Sequence, residues 1–143
     1  MKQYVRSVLL ALPLVPILLT SACSPGAVHE IQLAPLSELP AQMQNAAPRI
    51  REAYQFAVAN PAALQNVPCY CGCVGMGHNN NYACYIKEAR ADGTLVFDEH
   101  ALNCLVCVDI SQDVMRLSRE GKSAPAIRSF VISNYSRFGP PTQ

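Results

Sequence analysis

Six of the seven cysteines in this chain of 143 residues fall between Cys69 and Cys107. A chain of that length makes one small domain, whose modest core benefits from metal or disulfide staples. Three thiols stand within five residues, in Cys69-Tyr70-Cys71-Gly72-Cys73. On an extended strand, alternate side chains share a face but lie about 7 Å apart, so convergence on one centre needs a relaxed backbone. Gly72 supplies that freedom for Cys71 and Cys73. Cys104 and Cys107 are spaced three apart, which puts both sulfurs on one face of a helix. In the first turn of that helix, unpaired amides and the helix dipole favour thiolate. Cys84, between Tyr82 and Tyr85, supplies the sixth sulfur.

Three chemistries compete for such a set. An exported domain with an even number of thiols suits a disulfide framework, although bridging inside the Cys69–Cys73 span is strained. Each of those three would then pair with Cys84, Cys104 or Cys107. Metal binding is the second. Zinc ribbons require two pairs at x-x spacing, and only Cys104/Cys107 has it, so zinc is disfavoured. Closely spaced thiolates suit soft, low-coordinate ions such as Cu(I), with Met76 and His78 as auxiliary donors. The third is thiol–disulfide exchange, with Cys104 attacking and Cys107 resolving. His29 reads as a solvated residue, and His100, beside Asp98 and Glu99, as a surface or capping residue.

The N-terminus reads as an address. A basic start at Lys2 and Arg6 precedes an apolar run, Val8 to Leu19, interrupted by Pro13 and Pro16. The run is too short for a bilayer span and suits a secretory signal. Leu19-Thr20-Ser21-Ala22-Cys23 resembles a lipobox, which implies cleavage before Cys23 and lipidation of its thiol, with Leu19 one position further away than the usual pattern has it. By the same resemblance, Ser24 favours the outer membrane in a two-membrane bacterium. Residues 23–46, rich in Pro, Ala, Ser and Gln, are expected to be the lipidated cysteine and a flexible tether. Once Lys2 and Arg6 are set aside, acidic and basic residues nearly balance, and no basic stripe remains, which excludes a nucleic-acid footprint. Neither a Cys-x-x-Cys-His haem site nor a hydrolase elbow, phosphate loop or Rossmann fingerprint occurs.

Periodicity predicts three main helices. Ile50, Ala53, Tyr54 and Ala57 fall on one face of a helix from Arg49, ended by Asn60-Pro61. Asn103 is expected to cap a helix carrying Cys104, Cys107, Val114 and Leu117 up to Gly121. Ser123 opens the last, with Ile127, Phe130, Val131, Tyr135 and Phe138 as its core stripe. Residues 82–90 suit one short helix, Asp92-Gly93 a turn, and residues 94–97 a short extended piece. The expectation is an all-α domain over 47–138 with a cysteine-rich loop, preceded by a signal peptide (1–22) and the tether (23–46), and followed by a tail (139–143).

Pro68-Cys69-Tyr70-Cys71-Gly72-Cys73 resembles the signature of the PCYCGC-motif family of bacterial lipoproteins. Arg51-Glu52-Ala53-Tyr54, Gly77-His78, Cys84, Cys104-x-x-Cys107-x-Asp109-Ile110, Gly121-Lys122-Ser123 and Ile127-Arg128 fit the same pattern. The resemblance covers roughly residues 47–138 and implies a lipoprotein with a single helical domain. More weakly, Cys104-Leu105-Val106-Cys107, Gly121-Lys122-Ser123, Ile127-Arg128 and Tyr135 are similar to the thioreductase subunit of cytochrome c maturation. Here the cysteine-to-glycine spacing is shorter, and Val108 stands where glutamine is usual.

Together these readings give a lipid-anchored, extracytoplasmic envelope protein that binds a soft metal, Cu(I) before zinc, rather than an enzyme. The expected ligands are Cys69, Cys71, Cys73, Cys84, Cys104 and Cys107, with Met76 and His78 auxiliary and Cys23 lipidated. Its partners would be the membrane and a protein that exchanges metal or electrons. A Cys104/Cys107 oxidoreductase and a disulfide-stabilised binding domain are the alternatives.

Overall fold

A computed structural model describes residues 28–142, with the side chain of Cys73 excepted. The signal peptide, Cys23 and the first part of the tether lie outside the described residues. Among the described residues, six α-helices run in the order α1 (Ala41–Gln44), α2 (Pro48–Ala59), α3 (Pro61–Gln65), α4 (His100–Asn103), α5 (Leu105–Arg119) and α6 (Ala124–Tyr135). Between α3 and α4 lies a two-stranded sheet, β1 (Ile86–Ala89) and β2 (Leu95–Phe97). None of the described helices is long and apolar enough to cross a membrane.

The expected all-α class is therefore corrected to mixed α/β. Residues 82–90 do not form one helix. A 3-10 turn covers Tyr82–Cys84, and β1 then pairs antiparallel with β2, Ile86 opposite Phe97 and Ala89 opposite Leu95, with a bulge between Ile86 and Glu88. Lys87, Glu88 and Ala89 favour a helix in isolation, but strand formation depends on packing against neighbours, which overrides so weak a preference. Gly93, at φ +86°, turns the hairpin, and the Asp92 side chain accepts a hydrogen bond from the Thr94 amide at 2.9 Å.

Helix α5 is the central element and packs against both α2 and α6. Its buried stripe comprises Cys107, Val108, Ile110, Ser111, Val114, Met115 and Leu117. The helix stops at Gly121, whose φ of +70° suits a residue without Cβ. There the amides of Gly121 and Lys122 bond back to Ser118 and Leu117, which satisfies carbonyls the helix leaves open. Both α2 and α3 begin with proline, where the missing amide costs nothing. Ala53, Tyr54, Phe56 and Ala57 of α2 are buried, and Tyr54 meets Tyr85 edge-on at 5.0 Å between centroids.

Both flanks of the expected domain join its core. Within the segment read as tether, Leu39 and Met43 are buried in the main cluster, and Ala34 is tied to Gln55 by backbone and side-chain bonds. At the other end the chain continues past α6, and Thr142 returns to Cys69 in two hydrogen bonds.

Candidate metal centre

Four segments deliver the clustered cysteines and His100. The first leaves α3 through Val67 and Pro68 and carries Cys69 and Cys71. Its backbone is held on both sides: the Asn81 amide donates to Val67 O at 3.0 Å, and Cys69 is clasped by the C-terminal residues. The Thr142 amide donates to Cys69 O at 2.9 Å, while the Cys69 amide donates to Thr142 Oγ1 at 2.8 Å. The second segment is the 3-10 turn that ends in buried Cys84. The third is α4, which begins at His100, and the fourth is the start of α5.

Asn103 does not cap α5, contrary to expectation. It ends α4, and Cys104 is the N-cap of α5 in an extended conformation (φ −121°, ψ 97°). That places Cys107 in the first turn of α5, facing the core. Its carbonyl accepts hydrogen bonds from Asn81 Nδ2 at 3.2 Å and Tyr85 Oη at 2.9 Å. Beneath them the Ser111 hydroxyl lies 2.7 Å from both Asn81 Oδ1 and Tyr85 Oη. This buried polar network fixes where the first turn of α5 presents Cys107.

The sulfurs converge. Cys69 Sγ lies 3.3 Å from Cys71 Sγ and 3.3 Å from Cys107 Sγ, and Cys71 and Cys107 are 3.5 Å apart. These separations are well above the roughly 2.05 Å of a disulfide, and Cys69, Cys104 and Cys107 are free thiols. Cys84 joins the three central sulfurs so that all four lie within 4.8 Å of one another. A second group held to the same distance contains Cys71, Cys104, Cys107 and His100. With metal–sulfur bonds of about 2.3 Å, each group is compact enough for one ion. The donors, thiolate and imidazole, are those preferred by soft and borderline metals.

Among the described side chains of the Cys-x-Cys-x-Cys run, Cys69 and Cys71 converge, on the near side of Gly72. Gly72 itself takes φ +78° as the chain turns into the 3-10 segment Cys73–Met76. The expected ligand role of the Cys73 thiol falls outside the described side chains. Met76 is 61% exposed on that turn. His78, the other expected auxiliary, is buried but belongs to neither donor group. Its Nε2 faces Asp98 Oδ2 at 3.4 Å, its ring stands edge-on to His100 at 5.1 Å, and its buried Nδ1 has no hydrogen-bond partner among the described residues.

His100 is a candidate donor that the sequence reading missed. Asp98 Oδ1 accepts its backbone amide at 2.7 Å, so the residue does occupy a capping turn. Its ring nevertheless faces inward, with Nε2 3.4 Å from Cys71 Sγ. One signal was available: His100, Cys104 and Cys107 are spaced four and three residues apart, the repeat of a single helical face. The backbone change at Cys104 does not carry His100 away from that side.

Proximity also divides the thiol protons unequally. The Cys69 thiol is held below its ordinary value, chiefly by its hydrogen bond with Cys107. Cys107 is pushed up, chiefly by its hydrogen bonds with Cys69 and Cys71. Cys104 is pushed up by burial. Burial therefore opposes thiolate at Cys104, the helix-start thiol expected to attack a disulfide.

Fold and site together define a small mixed α/β domain whose clustered thiols and imidazole could hold a metal ion. The chain belongs to the family described as "protein of unknown function with PCYCGC motif", which matches residues 20–143. No curated protein and no solved structure matches it. The likeness to the thioreductase subunit rests on the few residues quoted for it alone.

Proposed function

We propose that this protein is an envelope lipoprotein that holds a soft metal ion, Cu(I) before zinc, and passes it to a protein partner. The observation that carries the reading is the convergence of Cys69, Cys71, Cys84, Cys104, Cys107 and His100 in two compact donor groups. Thiolate ligands to a soft ion exchange stepwise with incoming thiolates, which suits handing an ion on. The extracytoplasmic place and the anchor rest on the apolar run, Leu19-Thr20-Ser21-Ala22-Cys23 and the lipobox resemblance. The thioreductase alternative is weaker, because Cys104 would have to attack as thiolate and its burial opposes that charge.

The test is to purify the full chain anaerobically in reductant and offer it Cu(I) and Zn(II) together. Retention of Cu(I), with ultraviolet thiolate-to-copper absorption, is expected, and Cys69→Ser/Cys107→Ser should abolish it. Recovery as disulfides with no metal uptake would sink the metal reading. Retention of Zn(II) against Cu(I) would overturn the copper assignment.

A further inference from the structure

The two donor groups overlap without coinciding. They share Cys71 and Cys107, whose sulfurs are 3.5 Å apart, and otherwise have different members. On one side stand Cys69 and Cys84, both buried with no exposed surface, and on the other stand Cys104 and His100, both half-buried. From these positions we infer that the centre is binuclear, with Cys71 and Cys107 as bridging thiolates between an inner position completed by Cys69 and Cys84 and an outer one completed by Cys104 and His100.

This inference rests on the metal reading and adds a count, a geometry and a division of labour. Two ions bonded at about 2.3 Å to both sulfurs of a pair 3.5 Å apart would lie about 3.0 Å from each other. Bridging also accounts for the close approach of Cys71 and Cys107 at 3.5 Å, because a bridging thiolate spreads its charge over two cations. The inner position has four sulfur donors and lies against the core. The outer position has three sulfurs and an imidazole, and its own two donors come from α4 and the N-cap of α5, at the surface. Exchange with a partner therefore takes place at the outer ion, while the inner ion stays with the fold.

The experiment titrates the reduced full chain anaerobically with Cu(I), supplied as its acetonitrile complex, against a chromophoric Cu(I) chelator. X-ray absorption at the copper edge is recorded at saturation. Two equivalents are expected, with a copper–copper vector near 3.0 Å, the second equivalent being the one the chelator removes first. His100→Gln/Cys104→Ser, checked for folding by circular dichroism, should hold one chelator-resistant equivalent and lose the vector. Saturation of the unaltered chain at one equivalent would overturn the binuclear centre and leave the metal-binding reading standing. Two equivalents with no copper–copper vector would also overturn it, by placing the second ion elsewhere. No uptake at all would remove both.

Discussion

The network under Cys107 makes a sharp prediction through Tyr85→Phe. The substitution removes one oxygen and leaves the ring in place against Tyr54, where the edge-on contact at 5.0 Å is unaffected. It deletes the hydrogen bond to Cys107 O at 2.9 Å and the contact with the Ser111 hydroxyl at 2.7 Å. No partner is fully orphaned. Cys107 O keeps Asn81 Nδ2 at 3.2 Å, and Ser111 keeps Asn81 Oδ1 at 2.7 Å. With about 0.5–1.5 kcal/mol net for each buried hydrogen bond, the expected loss is about 1–2 kcal/mol. In urea, with a slope of about 2 kcal/mol/M, the midpoint of the reduced, metal-free chain should fall by about 0.5–1 M at unchanged slope. Ser111→Ala belongs to the same network, so the double variant should lose less than the two single losses added, by about 0.5 kcal/mol or more. Strict additivity, or a midpoint unmoved by Tyr85→Phe, would refute the claim that this network anchors the first turn of α5.

Alkaline pH should unfold the domain. Burial raises the Tyr54 and Tyr85 hydroxyls well above the ordinary value of 10.0. The stability they contribute is fully present below pH 10 and is lost above it, by about 1.4 kcal/mol per pH unit for each tyrosine. A pH series of urea midpoints should turn down near pH 10, less steeply in Tyr85→Phe. Removal of residues 140–143 takes away both hydrogen bonds to the Cys69 backbone and should expose that thiol, raising its iodoacetamide alkylation rate severalfold by peptide mass mapping. An unchanged rate would show that the C-terminal clasp does not protect the site. Gly121→Ala forces an alanine into φ +70° and brings its Cβ to 2.8 Å from the exposed His29 ring, which can swing away. The backbone cost of about 1 kcal/mol then dominates. His29→Ala should therefore fail to rescue the lost melting temperature.

Local pattern made part of this protein legible. The faces of α2, α5 and α6 follow the spacing of Ala53/Tyr54/Ala57, Val114/Leu117 and Ile127/Val131/Tyr135, because a buried face must repeat every three or four residues. The hairpin was harder to see. Its strands are short, a bulge interrupts alternation after Ile86, and Lys87-Glu88-Ala89 favours helix until β2 pairs with it. Leu39 and Met43 were hidden in a proline- and glutamine-rich segment, since two buried side chains make no period.

That the site is built from thiols was decided by sequence alone. Three cysteines in five residues, a Cys-x-x-Cys at a helix start and the PCYCGC signature are local, and local spacing survives translation into structure. The geometry of the centre was decided only by the tertiary fold. Cys69 and Cys107 stand 38 positions apart, and His100 is 29 from Cys71. Their contacts depend on α5 packing beneath the loop and on Asp98 turning the chain into α4. Which thiols share two donor groups, and which imidazole joins them, follows from packing over distances that no periodicity records.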